Sequence, residues 1–297
     1  MRRTLQYIIQ NNEENNKISD FLRSRGYSRK VITALKKSPN EILLNGQFAF
    51  VNQTLKEGDC LTVSIVETVS SPNIIPENLH LEIIYEDEDI LVVNKPAGMS
   101  IHPSINHHQG TLANAVAGYY ERQKISYVFR CLNRLDKDTS GVVLLAKHML
   151  SGAILAKSIK AGEIKKEYRA IVCGKSPETG VIDAPIGRKE GSVIERQVDF
   201  INGKEAMTHY RRLKYQNGYS YVAIWLGTGR THQIRVHMKH IGHPLPGDFL
   251  YYPDNKEIDR QALHSYCLSF QHPITGEHME FRAELPQDMK KLLRNKR

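Results

Sequence analysis

The sequence predicts an α+β protein with a mixed, mainly antiparallel sheet, preceded by a small basic module of two helices and a β-hairpin. Three observations lead there. Strand patterns in the long C-terminal part do not alternate with helical ones, which disfavours a doubly wound parallel fold. The run Val142-Val143-Leu144-Leu145-Ala146 is wholly apolar, as a strand covered on both faces would be. Residues 67–79, ETVSSPNIIPENL, hold two Pro, two Ser and two Asn directly after a clear strand, and read as a linker. The expected division is a module at 1–66, a linker at 67–79 and a larger domain at 80–297.

Taken in order, Met1-Arg2-Arg3-Thr4 leads into mixed Asn- and Glu-rich sequence with no signal-peptide pattern. Ser19 is a candidate cap for a short helix carrying Ile18, Phe21 and Leu22, which Gly26 would stop. Ser28 would cap a second, with Val31, Ile32 and Leu35 on one stripe. Ile42 to Leu44 runs into Asn45-Gly46, a tight-turn dipeptide. Leu61, Val63 and Ile65 alternate with Thr62 and Ser64, as in a half-buried strand. In the larger part, Ile83–Tyr85 and Ile90–Val93 read as strands around the acidic turn Glu86–Asp89, and 148–160 as a helix stopped by Gly162. Lys165–Val172 and Tyr219–Leu226 read as strands. Thr231–Ile241 reads as a helix capped by Thr231 and ended by Gly242.

Composition narrows the class. The 297 residues are 40% hydrophobic and 25% charged, the balance of an ordinary soluble chain. No apolar run approaches the ~20 residues that span a bilayer. The cysteines, Cys60, Cys131, Cys173 and Cys267, share no metal or redox spacing, so free, buried thiols in a reducing cytosol are expected. Lys plus Arg is 41 against 32 acidic residues, a net +9 that suits a polyanion but decides little alone. The distribution says more. Arg23, Arg25, Arg29, Lys30, Lys36 and Lys37 crowd one short stretch with no acidic residue among them. Such a cluster is a footprint for phosphates, and equally a solvated basic face.

Three polar segments interrupt apolar elements. In the first, Asn133 to Gly141, Asp136 sits in a turn beside the buried run, where a carboxylate is held rigidly and partly desolvated. Plain turn bonding by Asp136 and Asp138 explains the spacing as well. In the second, Tyr168 shares a strand face with Ala170 and Val172, either to stack a base or simply to fill the core. The third, Gly227-Thr228-Gly229-Arg230-Thr231-His232-Gln233-Ile234-Arg235, is a turn entering a helix, with Arg235 placed to pair with a carboxylate. His232, His237, His240 and His243 do not form a metal set: on a helix 232 and 237 lie about 140° apart, and no recognised ligand spacing completes them.

FLRSRGYSRKVITALKK, LLNGQ and LKEGDCLTVSI within 18–66 resemble the small RNA-binding domain named after ribosomal protein S-four. Together and in order, RLDKDTSG with VVLLAK, KKEYRAIV and TGRTHQIRVH resemble the aspartate, tyrosine and arginine motifs of the RluA-type RNA pseudouridine synthases, with further matches over about 80–286. The resemblance implies an isomerase that converts uridine in RNA to its carbon-linked isomer, with no redox cofactor, metal or energy source. It implies Asp136 as nucleophile, toward the sugar, the ring or through a glycal, Arg235 as its partner and Tyr168 on the uracil. Arg134 would fill the gap left by a flipped uridine, and Arg230 would contact RNA. Lys95 and His102 would shape the cleft edge. Where the family has His this chain has Asn133, which keeps hydrogen-bonding ability without titrating near neutrality and is expected to orient the loop. The basic module, with Lys290, Lys291, Arg294, Lys296 and Arg297, would add phosphate contacts. Ribosomal RNA of the large subunit is the expected target and transfer RNA a second, for a cytoplasmic monomer. Two other readings compete: a non-catalytic RNA-binding or ribosome-assembly factor of the same fold, and a hydrolase using Asp136 with a second carboxylate.

Overall fold

The protein is described by a computed structural model covering residues 1–38, 40–104, 108–254 and 257–294. It opens with β1 (Arg2–Ile8), where the sequence suggests no element. Its burial alternates, but only Leu5 is fully buried and Arg3 shares its inward face, so the residues carry little hydrophobic alternation. Helices α1 (Ile18–Ser24) and α2 (Arg29–Leu35) follow, then β2 (Ile42–Leu44), β3 (Gln47–Phe48) and β4 (Cys60–Val66). The strands form a four-stranded antiparallel sheet in the order β1-β4-β2-β3.

The helix stripes bury as their spacing predicts: Ile18, Phe21 and Leu22 from α1, and Val31, Ile32 and Leu35 from α2. Ser28 caps α2, its Oγ accepting from Val31 N at 3.3 Å. Ser19 does not cap α1, which starts one residue earlier. The open N–H groups of Ile18 and Ser19 donate instead to the Gln53 and Val51 carbonyls, at 2.9 and 2.8 Å. Asn45 and Gly46 both have positive φ, 52° and 80°, as a two-residue turn between twisted strands demands.

The larger part contains β5 (Glu82–Glu86), β6 (Ile90–Lys95), α3 (Leu112–Arg122), β7 (Ser140–Ala146), α4 (Met149–Lys160) and β8 (Lys165–Cys173). After these come β9 (Thr179–Asp183), β10 (Ile186–Arg188), β11 (Arg196–Val198), β12 (Met207–Gln216), β13 (Tyr219–Leu226) and α5 (Gln233–His240). The last elements are β14 (Leu263–Gln271), β15 (His278–Arg282) and α6 (Gln287–Leu292). One nine-stranded sheet runs β5-β6-β7-β14-β8-β13-β12-β9, with β15 also on β14. Among the described residues its pairs are antiparallel except β7 with β14, so the sheet is mixed and mainly antiparallel. Strands β10 and β11 form a separate two-stranded ribbon.

This sheet explains the apolar run. Val143 and Leu145 enter the core on one face with Leu91 and Val93, while Val142, Leu144 and Ala146 enter the other with Ile90 and Val92. A central strand with both faces covered has no polar alternation. Gly141 stands where β7 meets β14. Its φ is 115°, and a Cβ there would lie 2.1 Å from the Ser265 carbonyl oxygen. Only glycine fits that joint.

The N-terminal core continues into the larger part through Leu150 of α4. Arg3 of β1 donates to both oxygens of buried Asp89, at 2.9 and 3.2 Å, and its Nη1 lies 2.7 Å from Glu88. Residues 67–79 lie close against the larger part. Glu67 pairs with Arg130 at 2.6 Å, the Ile75 carbonyl accepts from Asn114, and Glu77 accepts from Gly110 N. No described helix is long and apolar enough to cross a membrane. The four cysteines are free, but only Cys267 is buried; the other three are half-buried, against expectation.

Candidate active site

The turn carrying Asp136 lies between Asn133 and β7, and its backbone is satisfied carbonyl by carbonyl. The Asp136 carbonyl accepts from Thr139 N at 3.1 Å, that of Lys137 from Lys95 Nζ at 3.0 Å, and that of Asp138 from Arg260 Nη1 at 3.1 Å. Lys95 has no exposed surface, so it does not form the cleft edge as expected; it props the turn from beneath. Its Nζ also donates to the Pro96 and Met99 carbonyls. Burial pushes the Lys95 amine down to about 7, with the Asp138 and Asp136 charges pulling it back up. His102 faces the Arg134 charge, and its pKa is lowered first by burial and then by that charge. Asn133 is buried and grips β7, its Nδ2 donating to the Val142 carbonyl at 2.9 Å and its Oδ1 accepting from Leu144 N at 2.8 Å. Both are main-chain bonds that hold the loop, as expected of a residue that orients it.

With its backbone fixed, the half-exposed Asp136 side chain meets Arg235, Nη1 to Oδ2, at 3.1 Å across 99 residues. Arg235 is only 3% exposed and is itself aimed by Asp248, which is 0% exposed. Asp248 accepts from Nε at 2.6 Å and Nη2 at 2.7 Å, a two-pronged grip on the guanidinium plane. Burial works against the Arg235 charge, but the bonds and charge of Asp248, then Asp136, outweigh it and raise the pKa. The Tyr251 ring lies under the guanidinium, its centroid 4.9 Å from Cζ.

Helix α5 starts two residues later than expected. Its cap is His232, with φ 57° and no side-chain capping bond, and not Thr231. Left-handed backbone at a non-glycine residue is a local strain. Here it accompanies an imidazole whose Nδ1 bonds the Tyr251 hydroxyl at 2.9 Å and whose Nε2 lies 3.8 Å from Asp136. Burial holds the His232 pKa below its ordinary range, against the pull of Asp136. Buried Gln233 knits the entry turn, accepting from Thr228 Oγ1 and Arg230 N and donating to the Met207 carbonyl. His237 and His243 are spent elsewhere, on Thr208 with Ala184 and on Cys173, so the four histidines do not converge.

Tyr168 projects from β8 into the same place. Its phenol is buried and pushed up by burial, then by the nearby Asp136 charge, so it stays neutral. Arg134, Asp136, Tyr168, Arg230, Arg235 and His232 line one shallow cleft floored by Leu135, Leu226, Ile234 and Leu263. Arg134 and Arg230 are exposed at the mouth, and Arg230 Nε donates to the Glu205 carbonyl at 2.9 Å. The arrangement can present a carboxylate oxygen of fixed direction beside a neutral phenol face, with positive charge behind and around it. Apolar walls and a rim of arginines suit an uncharged base on a phosphate backbone.

The basic module residues lie outside this cleft. Arg23, Arg25, Arg29, Lys30, Lys36 and Lys37 are all exposed on α1, α2 and the residues beside them. Two are already engaged by acids from outside the stretch: Arg23 with Asp20 at 3.0 Å, and Arg25 with Glu13 at 2.5 Å. Lys290 pairs with Glu284 at 3.3 Å, while Lys296 and Arg297 fall outside the described residues.

Asp248, His232 and Arg260 emerge only from the structure as site neighbours. Asp248 lies in Pro244-Leu245-Pro246-Gly247-Asp248, and its one available sequence signal was a carboxylate in a rigid turn.

Comparison with known proteins shows which family the chain resembles. Residues 89–240, just over half the 297, match the family described as RNA pseudouridylate synthase. The Bacillus subtilis protein YjbO, named as an RNA pseudouridine synthase, is 42% identical over 93% of this chain and 98% of its own length. Ribosomal large subunit pseudouridine synthase D of Buchnera aphidicola is 39% identical over 91% of this chain and 89% of its own. The solved human RNA pseudouridylate synthase domain containing 1 superposes with a TM-score of 0.59 at 26% identity, covering 70% of this chain and 84% of that one. The chain belongs to the RNA pseudouridine synthase family, the isomerases that turn uridine in RNA into pseudouridine.

Proposed function

We propose that Asp136 is the nucleophile of this isomerisation, acting on a uridine flipped out of large-subunit ribosomal RNA. The observation that carries the reading is the 3.1 Å pair between Asp136 and the buried, doubly anchored Arg235, set in a cleft that Tyr168 lines. In the reaction the bond from ribose to ring nitrogen breaks, the uracil turns, carbon 5 bonds the sugar and loses its proton, the freed ring nitrogen gains one, and the transient bond to Asp136 breaks again. Arg235 holds the carboxylate oxygens in one direction, which lowers the entropic cost of the encounter. Tyr168 offers the uracil a flat neutral face and a hydroxyl for proton traffic. Extruding a paired base costs a few kcal/mol, and Arg134 at the cleft mouth is placed to fill the vacated stack.

The ribosomal target draws support from relatives named for the large subunit, and from exposed basic residues on a module that reads as a phosphate-binding face. Residues 1–66 serve as this RNA-binding module, 67–79 as the connection and 80–297 as the catalytic domain, in a cytoplasmic monomer. The test is RNA carrying tritium at carbon 5 of uridine, incubated with wild type and with Asp136→Asn. Release of label by the wild type alone supports the assignment. Equal release by the variant sinks it.

A further inference from the structure

A groove separates the β10–β11 ribbon from α5, walled by Lys189, Arg196, Val198, Lys239, His240 and Tyr251. We propose that it seats the nucleotide next to the flipped uridine, with Arg196 and Lys239 on its phosphate and Phe200 on its base. The inference rests on the RNA-substrate reading above and adds where the strand runs.

Three observations carry it. The first is charge. Lys189 is neutralised by Glu195 at 2.8 Å, but Arg196 and Lys239 have no carboxylate partner among the described residues. Arg188 and Lys204 are exposed nearby, on β10 and on the return from β11. Two cations free of carboxylates on the lining of one groove, Lys239 over the Tyr251 ring at 5.8 Å and Arg196 with only the Glu195 carbonyl at 3.4 Å, suit a phosphate. The second is an exposed aromatic. Phe200, in the turn after β11, is 72% exposed, with its ring 6.5 Å from that of His240. An uncovered phenylalanine beside an imidazole and basic residues offers the kind of face on which single-stranded bases stack.

The third observation is continuity. The Tyr251 hydroxyl accepts from Arg196 N at 2.9 Å on the groove side and bonds His232 Nδ1 at 2.9 Å on the cleft side. His232 Nε2 is 3.8 Å from Asp136. One wall therefore divides the two sites, and a strand with its uridine at Asp136 passes Tyr251 to reach the groove.

The experiment uses the full chain with Arg196→Ala/Lys239→Ala and, separately, Phe200→Ala. Binding to a single-stranded oligoribonucleotide is measured against salt, and tritium release is measured on ribosomal RNA labelled at carbon 5 of uridine. Circular dichroism checks that these surface variants fold. Removing both cations from that one phosphate should lower the slope of log affinity against log salt by about 0.7 for a single strand. KM should rise on the order of tenfold, with kcat within about twofold. Phe200→Ala should weaken binding at least fivefold or so with the salt slope kept, as loss of stacking does. Wild-type affinity, slope and KM in both variants would overturn the groove assignment. No label release by the wild type would overturn the catalytic reading instead, so the two failures are distinct.

Discussion

Asp248→Asn probes the site where it is most tightly built. The Asp248 carboxylate accepts four hydrogen bonds, from Arg235 Nε and Nη2 and from the N–H groups of Leu250 and Tyr251. Asparagine keeps the shape but turns an amide N–H toward one of those donors. It also leaves a guanidinium with 3% exposure facing Asp136 as its remaining carboxylate. Removing one member of a buried ion pair costs about 3–5 kcal/mol. In a body of this size each kcal/mol moves Tm by roughly 2–4 °C, so a fall on the order of 10 °C is expected. Without its two-pronged anchor the guanidinium no longer holds the Asp136 carboxylate in one fixed direction, and a displacement near 1 Å at such a place costs about a hundredfold in rate. Thermal unfolding followed by circular dichroism, together with tritium release at saturating RNA, reads both effects. RNA affinity should stay close to wild type, because Asp248 has no exposed surface. A variant with unchanged Tm and kcat would show that Arg235 is not held by Asp248 in solution, and the account of how the site is aimed would fail.

Two further outcomes follow from charges elsewhere. Burial alone would raise the Asp89 pKa, but hydrogen bonds from His148 and Arg3 outweigh it and hold the carboxyl at about 2. A depressed carboxylate stabilises the fold above its unfolded value near 3.8, and that contribution, about 2 kcal/mol, fades as pH falls through about 2. Acid unfolding of Asp89→Asn should therefore be shallower than that of the wild type between pH 4 and 2; identical profiles would refute the linkage. Replacing Arg29, Lys30, Lys36 and Lys37 together by Ala should lower the salt slope of RNA binding by up to about 3.6, at about 0.9 for each lost duplex contact. Arg23→Ala/Arg25→Ala should change it less, since both already face acids.

Much of this was legible in the residues, and the misses have physical causes. Strands β7, β8 and β13 announce themselves because their side chains enter a core and must be apolar. Asp136, Tyr168 and Arg235 stood out as polar interruptions of such elements, and the structure brings all three to one cleft. Strand β1 was invisible because it is held by main-chain pairing with β4 and buries little. The caps at Ser19 and Thr231 were misread because side-chain identity alone does not fix a helix start. At α1 neighbouring carbonyls satisfy the open N–H groups, and at α5 a left-handed His232 takes the cap position. Asp248 and Arg260 act through partners more than ten residues away, which no local pattern encodes.

The position of β14 has a consequence for assembly. It is inserted between β7 and β8, strands that precede it by roughly a hundred residues or more and share no ladder with each other. Without residues 263–271 the ladder falls into two fragments, β5-β6-β7 and β8-β13-β12-β9, and the apolar edge of β7 is left unpaired. Closing such distant pairings is slow, and exposed edges invite association between chains. During synthesis, a chain that has passed Arg235 still lacks both the keystone strand and Arg260, the buttress under Asp138. A chain cut before residue 263 should therefore release no label from RNA and associate more readily than the full chain.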